Sequence, residues 1–501
     1  MGSVPSTSNC SSLATPEVPG ALITSFVASE IHGISKTFPE SSFDDAITVR
    51  DLRVCDIKVS LTHPGVNDEV NFQLWLPLTK WNGRFQAVGG GGFAAGAGEE
   101  GLGNATAHGL PWVTVSPDIL GPDGEVDLGV FADVSSRALH ELAVIGKAAA
   151  ASFYYKPPHH SYWAGCSTGG RQGYMMAQRY PGDFDGIAAH APAVRWPSVV
   201  TSLQWPQVVM DTYRKWPSSC EFQYLLDETI TACDKLDGVT DGIVSDPFNC
   251  AFDPQALVGR TVECSGRKIT ISQDTADIFQ HIYDGPKSPA GTSLEPGLTW
   301  GTTPLYLAST LNLGGISMGM DFPLAAVWFQ FFLEKNPSFN LSSITTDEFP
   351  DYLAQAWAEY GRLIGTSNPD LGPFRDSGGK LLSWHGLADG LLTAKNTLVY
   401  RDQVERVMGG ADQTNGFYHL FLAPGVDHCA GGNGPLLTKT LDALIAWVEQ
   451  GKAPEVLHGQ ITNPSSTTVT RDICLYPLVA RYNGKGDPNE ASSYSCLASF
   501  K

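Results

Sequence analysis

The chain has 501 residues, of which 42% are hydrophobic and 17% are charged, a balance typical of a folded globular protein and not of a disordered one. Its 32 basic and 52 acidic residues give a formal net charge of −20, which opposes binding to phosphate backbones and anionic lipid. We therefore expect neither nucleic acid nor a membrane among its partners. The length allows two to four domains, and a single α/β enzyme with one large insertion would also fill it.

In chain order, the apolar pattern predicts an alternation of short strands and amphipathic helices. Predicted strands lie at 70–76, 85–88, 112–116, 162–164, 381–384 and 418–422. Predicted helices lie at 133–152, 170–180 and 437–450. Alternation of this kind predicts an α/β fold with a parallel sheet covered by helices.

Between Trp196 and Pro350 the alternation gives way to Cys-, Pro- and Asp-rich stretches that predict loops. We interpret this segment as an inserted domain. The predicted organisation is an α/β domain in two parts, 1–195 and 351–501, with the insertion at 196–350. Within the insertion, an aromatic stretch favours a core helix over a substrate-lining role, and its members are Trp328, Phe329, Phe331 and Phe332.

Cysteines and sequons indicate the compartment. Ten cysteines are spread over the chain without Cys-x-x-Cys pairs, which favours disulfides over zinc. Asn-x-Ser/Thr triplets at Asn9, Asn104 and Asn340 fit a glycoprotein of the secretory pathway. The start of the chain shows no signal peptide, and the longest apolar run, 323–333, is too short for a membrane helix. We expect a secreted, extracellular protein whose signal peptide is not present in this chain.

A tight turn between a predicted strand and a predicted helix carries the candidate nucleophile. Residues 165–169 read Gly-Cys-Ser-Thr-Gly, which matches the Gly-x-Ser-x-Gly elbow that exposes a serine hydroxyl. Small residues on both sides of Ser167 let strand and helix approach, and the free N–H groups of a helix start favour an oxyanion. The alternative is an ordinary glycine turn with a buried serine.

A serine nucleophile needs a histidine base that is held by a carboxylate. In α/β-hydrolases the chain order is Ser, then Asp or Glu, then His. Asp389 follows the predicted strand 381–384, and His428 follows the predicted strand 418–422. Both are therefore predicted to act with Ser167.

Three other residues compete for these two roles. His385 and His419 are alternative bases, but they lie at the end of a predicted strand and inside one, which favours structural roles. Asp427 is an alternative acid, yet a residue next to the base in sequence rarely turns its carboxylate back onto that imidazole. We prefer Asp389.

The loop after an earlier strand is expected to supply a second N–H group to the oxyanion. Residues 89–92 are all glycine and directly follow the predicted strand 85–88. Because glycine lets backbone N–H groups approach a substrate closely, this run suits the role. We expect Thr168 and Gly91 to form the oxyanion hole, with Gly92 as the alternative to Gly91.

Two cysteines adjoin the catalytic candidates. Cys166 precedes Ser167, and Cys429 follows His428. A disulfide between them would hold the nucleophile in a fixed position relative to the base without taking part in the reaction itself. Two unrelated structural cysteines are the alternative.

Four motifs together resemble the tannase and feruloyl esterase family. They are Gly-Cys-Ser-Thr-Gly-Gly-Arg-Gln-Gly at 165–173, Asp-Phe-Asp-Gly-Ile-Ala-Ala at 183–189, His-Gly-Leu-Ala-Asp at 385–389 and Asp-His-Cys at 427–429. The resemblance extends from about residue 50 to the C-terminus. It implies an α/β-hydrolase with a large inserted lid domain and an ester of an aromatic acid as substrate. The residues it implies are the nucleophile Ser167, the acid Asp389, the base His428 and a Cys166–Cys429 bridge.

A candidate metal loop lies in the predicted insertion. Residues 233–243 read Cys-Asp-Lys-Leu-Asp-Gly-Val-Thr-Asp-Gly-Ile, and their glycines let the loop curl around a hard cation. The spacing is not that of an EF-hand. The resemblance supports a structural Ca²⁺ ion, held by Asp234, Asp237 and Asp241 side chains and by Val239 and Ile243 carbonyls. A solvated acidic turn is the alternative.

Eight further cysteines remain once Cys166 and Cys429 are set aside. We expect Cys10 to pair with Cys55, Cys233 with Cys250, Cys474 with Cys496 and, because these two remain, Cys220 with Cys264. Such a framework is typical of an oxidising compartment.

Together these features predict a serine carboxylic ester hydrolase of the feruloyl esterase type, which cleaves phenolic-acid esters through an acyl-enzyme. One alternative is a tannase that releases gallate, and another is an esterase or lactonase acting on an aromatic metabolite in a biosynthetic pathway. A catalytically dead, hydrolase-fold binding protein is least favoured. We expect a small aromatic ester as the substrate and a monomer or homodimer.

Overall fold

The computed structural model describes residues 9–38, 43, 46–66, 68–96, 103, 106, 112–116, 125–264, 266–313, 316–462 and 466–498. Its strands are β1 (Leu22–Phe38), β2 (Ile47–Thr62), β3 (Val70–Pro77), β4 (Arg84–Val88), β5 (Trp112–Ser116), β6 (His160–Cys166), β7 (Gly186–His190), β8 (Thr261–Cys264), β9 (Arg267–Thr270), β10 (Thr310–Leu313), β11 (Ile316–Gly319), β12 (Lys380–Gly386), β13 (Tyr418–Ala423), β14 (Leu436–Leu437), β15 (Val456–Thr462), β16 (Thr468–Cys474), β17 (Leu478–Tyr482) and β18 (Tyr494–Ala498). Its helices are α1 (Leu128–Ser135), α2 (Arg137–Tyr154), α3 (Thr168–Arg179), α4 (Trp196–Ser202), α5 (Trp205–Tyr213), α6 (Ser219–Cys233), α7 (Gln273–Asp284), α8 (Pro323–Val327), α9 (Phe349–Ile364), α10 (Gly372–Asp376), α11 (Ala394–Met408), α12 (Ala411–Asn415) and α13 (Thr440–Gln450).

One large sheet organises the molecule. In the described part of the chain it has nine strands in the order β1-β2-β3-β5-β4-β6-β7-β12-β13. The first four pair antiparallel. From β5 to β13 every neighbouring pair is parallel. All six strands predicted from the sequence lie in this sheet, and the predicted α/β-hydrolase fold is confirmed.

Both faces of the sheet are covered by helices, as a largely parallel sheet requires. Helices α2 and α3 pack on one face, and α13 packs against β7 and β12 on the other. Successive residues of a strand point to opposite faces. In β6, Trp163 therefore belongs to one buried apolar cluster and its neighbour Tyr162 to the other. Because the strands from β5 to β13 run parallel, their carboxyl ends lie at the same edge of the sheet, and the loops at that edge carry the site.

The chain leaves the sheet after β7 and returns at β12, which pairs directly with β7, Gly186 lying opposite Lys380. The expectation that 196–350 is dominated by loops was wrong, because the four α-helices α4 to α7 lie between residues 196 and 284. Helices α4 and α5 each have proline as their second residue, and α6 begins with a capping box formed by Ser218 and Glu221. Much of α4 and α5 is buried on all sides, so these helices lack the polar face that reveals helical periodicity.

The aromatic stretch of the insertion forms a π-helix, Trp328–Leu333. Trp328, Phe329 and Phe332 are buried in the main apolar cluster, while Phe331 is partly exposed. A core role therefore accounts for three of the four aromatic residues, in agreement with the preferred interpretation.

Elements at both ends of the chain were not predicted. Strands β1 and β2 form a long antiparallel hairpin at one edge of the sheet. After α13, β15 and β16 pair antiparallel beside β14, and β17 pairs with β18. Exposed residues recur along β1, β15 and β16, so the sequences of these strands lack a continuous apolar run.

Several features bear on the environment of the protein. The ten cysteines form the five expected disulfides, Cys10–Cys55, Cys166–Cys429, Cys220–Cys264, Cys233–Cys250 and Cys474–Cys496. Five disulfides fit an oxidising, extracellular location. Asn9 and Asn340 are exposed, and Asn104 lies outside the described residues. Within the described ranges, no helix combines the length and apolar character needed to cross a bilayer.

Candidate active site

Ser167 lies at the turn between β6 and α3 in a strained backbone conformation, with φ of 62° and ψ of −121°. Its N–H donates to the carbonyl of His190 at 3.0 Å, and its own carbonyl accepts from the N–H of Ala193 at 3.1 Å. A Cβ atom on Gly165 would lie 2.4 Å from the backbone of Gly169, so only glycine fits there. The Gly-x-Ser-x-Gly sequence thus forms a strand–turn–helix elbow.

The glycine run 89–92 is held against this elbow. The carbonyl of Gly90 accepts from the N–H of Gly169 at 2.9 Å, and the carbonyl of Gly92 accepts from the Thr168 hydroxyl at 2.6 Å. Gly91 between them is exposed, and its N–H has no acceptor among the residues that the structure describes. Thr168 is the first residue of α3, where helix geometry leaves the N–H without an intrahelical partner.

Asp389 and His428 form a hydrogen-bonded pair on neighbouring loops that follow β12 and β13. His428 Nδ1 lies 2.8 Å from Asp389 Oδ2. An ionised carboxylate only accepts hydrogen bonds, so Nδ1 carries the proton and Nε2 is left as the basic nitrogen. The other carboxylate oxygen accepts the N–H groups of Leu391 and Leu392 at 2.9 and 2.7 Å, which fixes its orientation.

The pair shifts the pKa of both of its members. Burial alone would raise the pKa of Asp389, but the charge of His428 and the hydrogen bonds from His385 and His428 outweigh it, so the pKa lies well below its ordinary value. Burial lowers the pKa of His428, whereas the charge and hydrogen bond of Asp389 and the charge of Asp427 raise it. The net pKa of His428 lies above 6.5.

The three competitors take other positions. His385 is fully buried, and its Nε2 lies 3.1 Å from the Oδ2 atom of Asp389 and 2.8 Å from the Leu392 carbonyl. It supports the acid and is not free to act as a base. His419 contacts the Pro454 carbonyl, and burial lowers its pKa to about 4.

Asp427 does not contact the imidazole of His428 by hydrogen bonding. One of its oxygens instead accepts the backbone N–H of His428 at 2.7 Å and that of Gly390 at 3.1 Å. The other oxygen accepts from the Tyr306 hydroxyl at 2.7 Å. Sequence reasoning missed the contacts of His385 and Asp427, although each residue lies within four positions of a candidate that it supports.

The Cys166–Cys429 disulfide connects the elbow to the histidine loop. Its Cα atoms are 5.9 Å apart although 263 residues separate them in sequence. Ser167 and His428 are the chain neighbours of the two bridged cysteines. The bridge therefore brings the candidate nucleophile and the candidate base to the same end of the sheet.

The candidate metal loop follows α6. Asp234 accepts the N–H groups of Asp241 and Gly242 at 3.1 and 3.0 Å. Asp237 accepts from the Val239 N–H and the Ser245 hydroxyl. The carboxylate oxygens of Asp234, Asp237 and Asp241 do not all lie within 4.8 Å of one another.

The donor chemistry of this loop fits a hard cation. Burial raises the pKa of Asp237, and burial together with the charges of Asp237 and Asp234 raises that of Asp241 to about 6, so a bound cation would favour their ionised forms. The carbonyls of Val239 and Ile243 accept no hydrogen bond from any residue in the described ranges. Oxygen donors of both kinds are what Ca²⁺ binds. Arg471, at 2.9 Å from Asp241, offsets part of the charge.

An elbow serine, a histidine on a disulfide-linked loop and a buried aspartate at the carboxyl end of an α/β-hydrolase sheet are the arrangement typical of serine hydrolases. A sequence model described as tannase and feruloyl esterase matches residues 55–497. The chain belongs to the tannase and feruloyl esterase family and is a carboxylic ester hydrolase, which confirms the resemblance carried by the four motifs.

Individual relatives agree with this assignment. A protein of Arthroderma benhamiae named probable feruloyl esterase is 44% identical over 98% of this chain and 94% of its own length. Mono(2-hydroxyethyl) terephthalate hydrolase of Piscinibacter sakaiensis is 30% identical over 86% of this chain and 82% of its own. Among solved structures, tannin acyl hydrolase from Aspergillus niger has a TM-score of 0.88 at 25% identity, and the match covers 97% of this chain and 93% of that one. Feruloyl esterase B from Aspergillus oryzae has a TM-score of 0.83 at 26% identity, covering 97% and 99%.

Proposed function

We propose that the chain hydrolyses esters of phenolic acids through an acyl-enzyme, with feruloyl-type esters as its substrates. The single observation that carries this proposal is the elbow of Ser167 tied by a disulfide to the loop of His428, whose imidazole is bound to Asp389. The relatives named feruloyl esterase support a phenolic acid as the acyl group of the substrate. In this proposal the segment 196–350 forms a lid that selects the acyl group.

In the proposed mechanism, the Ser167 hydroxyl attacks the ester carbonyl while His428 Nε2 takes its proton. Asp389 holds the imidazole in the required tautomer and stabilises its charged form. The N–H groups of Thr168 and Gly91 receive the oxyanion. His428 then returns the proton to the departing alcohol, and water, activated by the same imidazole, releases the acid.

The experiment that tests the proposal compares initial rates on methyl ferulate, methyl caffeate, methyl gallate and a short-chain nitrophenyl ester. Wild type and Ser167→Ala are measured side by side. We expect turnover that needs Ser167 and is fastest on ferulate or caffeate. Removal of a triad member leaves only about 10⁻⁴ to 10⁻⁶ of kcat in comparable enzymes.

Other results of this panel would redirect the assignment. A preference for methyl gallate would contradict the feruloyl type and favour a tannase. Activity on the nitrophenyl ester alone would point to a different aromatic or aliphatic ester. Turnover that survives Ser167→Ala would exclude the proposed nucleophile.

We also propose that the loop 233–243 binds a structural Ca²⁺ ion in the lid, with Asp234, Asp237, Asp241, Val239 and Ile243 as ligands. The loop contacts the catalytic half of the molecule, because Ile243 packs against Gly425 in the histidine loop. Ca²⁺ would draw the three carboxylates together and neutralise their excess charge. Its role would then be to stabilise the fold and not to polarise the substrate.

Thermal unfolding with EDTA and with millimolar Ca²⁺ tests this second proposal. We expect Ca²⁺ to raise Tm in wild type and not in Asp237→Asn, since binding to the folded state alone stabilises it. Asp253→Asn, which removes a turn-capping carboxylate outside the loop, is the matched control. A Tm that is unaffected by Ca²⁺ in wild type would contradict the site. Activity lost on chelation before any loss of Tm would contradict the purely structural role.

The disulfides and the exposed sequons also support a proposal about the compartment. We propose that the protein is secreted and carries glycans at Asn9 and Asn340, on the strength of five disulfides and two exposed sequons. A mass shift on treatment with an endoglycosidase would test the glycans.

A further inference from the structure

Asp427 connects three separate parts of the molecule, although it is not the acid that holds the catalytic imidazole. Its Oδ1 atom accepts the N–H of His428 at 2.7 Å and the N–H of Gly390, next to Asp389, at 3.1 Å. Its Oδ2 atom accepts from the hydroxyl of Tyr306, which belongs to the insertion, at 2.7 Å. A single carboxylate thus joins the base loop, the acid loop and the insertion.

Asp427 is well placed for this role because it is 9% exposed. In such surroundings its hydrogen bonds compete little with water. Bonds to a charged acceptor are also stronger than bonds between neutral groups. The carboxylate therefore fixes the backbone of His428 relative to the loop of Asp389, independently of the contact between their side chains.

The segment 299–306 of the insertion adds further contacts to the acid loop. The hydroxyls of Thr299 and Thr302 donate to the carbonyl of Leu387 at 2.6 and 3.1 Å. A Cβ atom on Gly390 would lie 2.7 Å from the Thr303 carbonyl and 2.8 Å from the Tyr306 ring. This segment therefore packs directly on the turn that presents Asp389.

We propose that Asp427 is a positioning residue for ester hydrolysis, which holds the His428 and Asp389 loops in register and ties both to the insertion through Tyr306. The inference rests on the function proposed above and deepens it. The triad and the disulfide connect side chains, whereas Asp427 binds the backbone N–H groups of His428 and Gly390. Its role therefore differs from theirs.

The charges around His428 make the positioning role of Asp427 testable through the pKa of His428. The titratable groups that face its imidazole are Asp389 and Asp427, with His385 bound to Asp389 and Tyr306 bound to Asp427. The charge of Asp427 contributes to the raised pKa of His428. Asparagine at 427 removes that charge and keeps an oxygen that can accept both N–H groups, whereas alanine removes all three side-chain hydrogen bonds.

Four variants separate positioning from general stability: Asp427→Ala, Asp427→Asn, Tyr306→Phe and the Asp427→Ala/Tyr306→Phe double variant. We expect Asp427→Ala to lower kcat about 10- to 100-fold with a smaller change in KM, since small misplacements of catalytic groups cost rates of this size. Asp427→Asn should restore most of kcat and move the acid limb of kcat/KM to lower pH by roughly 0.5 to 1 unit. Tyr306→Phe should lower kcat a few-fold, and should add nothing to Asp427→Ala.

Tyr352→Phe is the matched control, because Tyr352 donates to the carboxylate of Glu334 at 2.6 Å elsewhere in the insertion. We expect it to keep the wild-type kcat and pH profile. Wild-type kcat in Asp427→Ala, or equal losses in Asp427→Asn and Asp427→Ala without a pH shift, would overturn the proposal. So would additive effects of Asp427→Ala and Tyr306→Phe.

A second measurement does not depend on turnover. The pKa of His428 can be followed by NMR of ¹³C-labelled histidine in Ser167→Ala and in Ser167→Ala/Asp427→Asn, and we expect a lower value in the second protein. An unchanged pKa would overturn the inference. Absence of ester hydrolysis by wild type would instead overturn the proposed function, so the two failures are distinguishable.

Discussion

Cys166 and Cys429 are joined by a disulfide across 263 residues of chain, and each is the sequence neighbour of a candidate catalytic residue. The bond connects the turn after β6 with the loop after β13, which are separated in the sheet by β7 and β12. The disulfide is therefore expected to affect catalysis more than a typical structural bridge.

Replacing both cysteines by alanine tests this expectation. We expect kcat to fall about 100-fold in Cys166→Ala/Cys429→Ala, because the nucleophile and base are no longer held in register. The free energy of unfolding should fall by roughly 2–5 kcal/mol. Cys474→Ala/Cys496→Ala is the matched control, which should lose stability and keep kcat. Equal kcat in both double variants, measured on folded protein, would refute the special role.

The pH profile of the wild type follows from the pKa of His428. Because that pKa is raised above 6.5 and the base must be neutral, we expect the midpoint of the acid limb of kcat/KM to lie above pH 6.5. Below the midpoint the rate should fall tenfold per pH unit. Initial rates between pH 4 and 9, on an ester that does not ionise in this range, give the measurement. An acid limb centred below pH 6 would contradict the assignment.

Asp389→Asn is expected to lower kcat by about 10⁴-fold while the protein stays folded, because an amide no longer enforces the productive tautomer of His428. The control is Asp183→Asn, since Asp183 contacts His140 Nδ1 at 2.7 Å far from the elbow and should not affect kcat. A loss of less than tenfold in Asp389→Asn would indicate that another carboxylate serves as the acid.

The oxyanion role of Gly91 can be tested at one position with two substitutions. Among the residues that the structure describes, no atom lies within 4 Å of an ideal Cβ on Gly91, so Gly91→Ala is expected to keep the N–H donor and near wild-type kcat. Gly91→Pro removes the N–H and should lower kcat about 10²- to 10³-fold. Similar kcat values for the two variants would exclude Gly91 and direct attention to Gly92.

A buried ionic cluster away from the site predicts a dependence of stability on pH. His63, Asp68, Asp133, Arg137 and Glu141 contact one another, and Asp133 is fully buried. Burial raises the pKa of Asp133 to about 7 despite its bond to Arg137. Between about pH 4 and 7 the folded state therefore binds more protons than the unfolded state, and stability falls as pH rises.

Asp133→Asn should remove this contribution, because asparagine does not titrate and still accepts a hydrogen bond from Arg137. We expect the free energy of unfolding of wild type to fall relative to the variant by up to about 1.4 kcal/mol per pH unit in that window. Denaturant unfolding at pH 5 and pH 7 measures the difference, with the exposed Asp370→Asn as control. Parallel pH dependence in wild type and Asp133→Asn would contradict the assignment.

The sequence was informative where local chemistry and topology coincide. The elbow is a case in point, since the glycines around Ser167 are required by close backbone contacts that no larger residue permits. Asp389 and His428 were found because both follow strands of one parallel sheet, whose carboxyl ends must lie at the same edge. The parallel strands themselves were recognisable as short apolar runs, because both of their faces are buried.

What escaped prediction depends on long-range packing. The helices α4 and α5 are buried on nearly all sides, so their composition hides the helical period. The role of Asp427 arises from the insertion, because its partner Tyr306 is 121 residues away in sequence. The hairpin of β1 and β2 has no compact apolar stripe, since most of β1 is exposed or half-exposed.

That hairpin has a consequence for association between molecules. A long edge strand offers unpaired backbone groups that can recruit a strand from another chain. β1 is interrupted by register shifts between Ile23 and Ser25 and around Ile34, and such bulges bend and twist a strand away from the flat geometry that pairing needs. At the opposite edge, β13 is partly covered by the chain itself, because the Tyr476 N–H donates to the Leu420 carbonyl at 2.9 Å. The bulges in β1 and the contact of residue 476 with β13 are therefore expected to disfavour pairing of either sheet edge with another molecule.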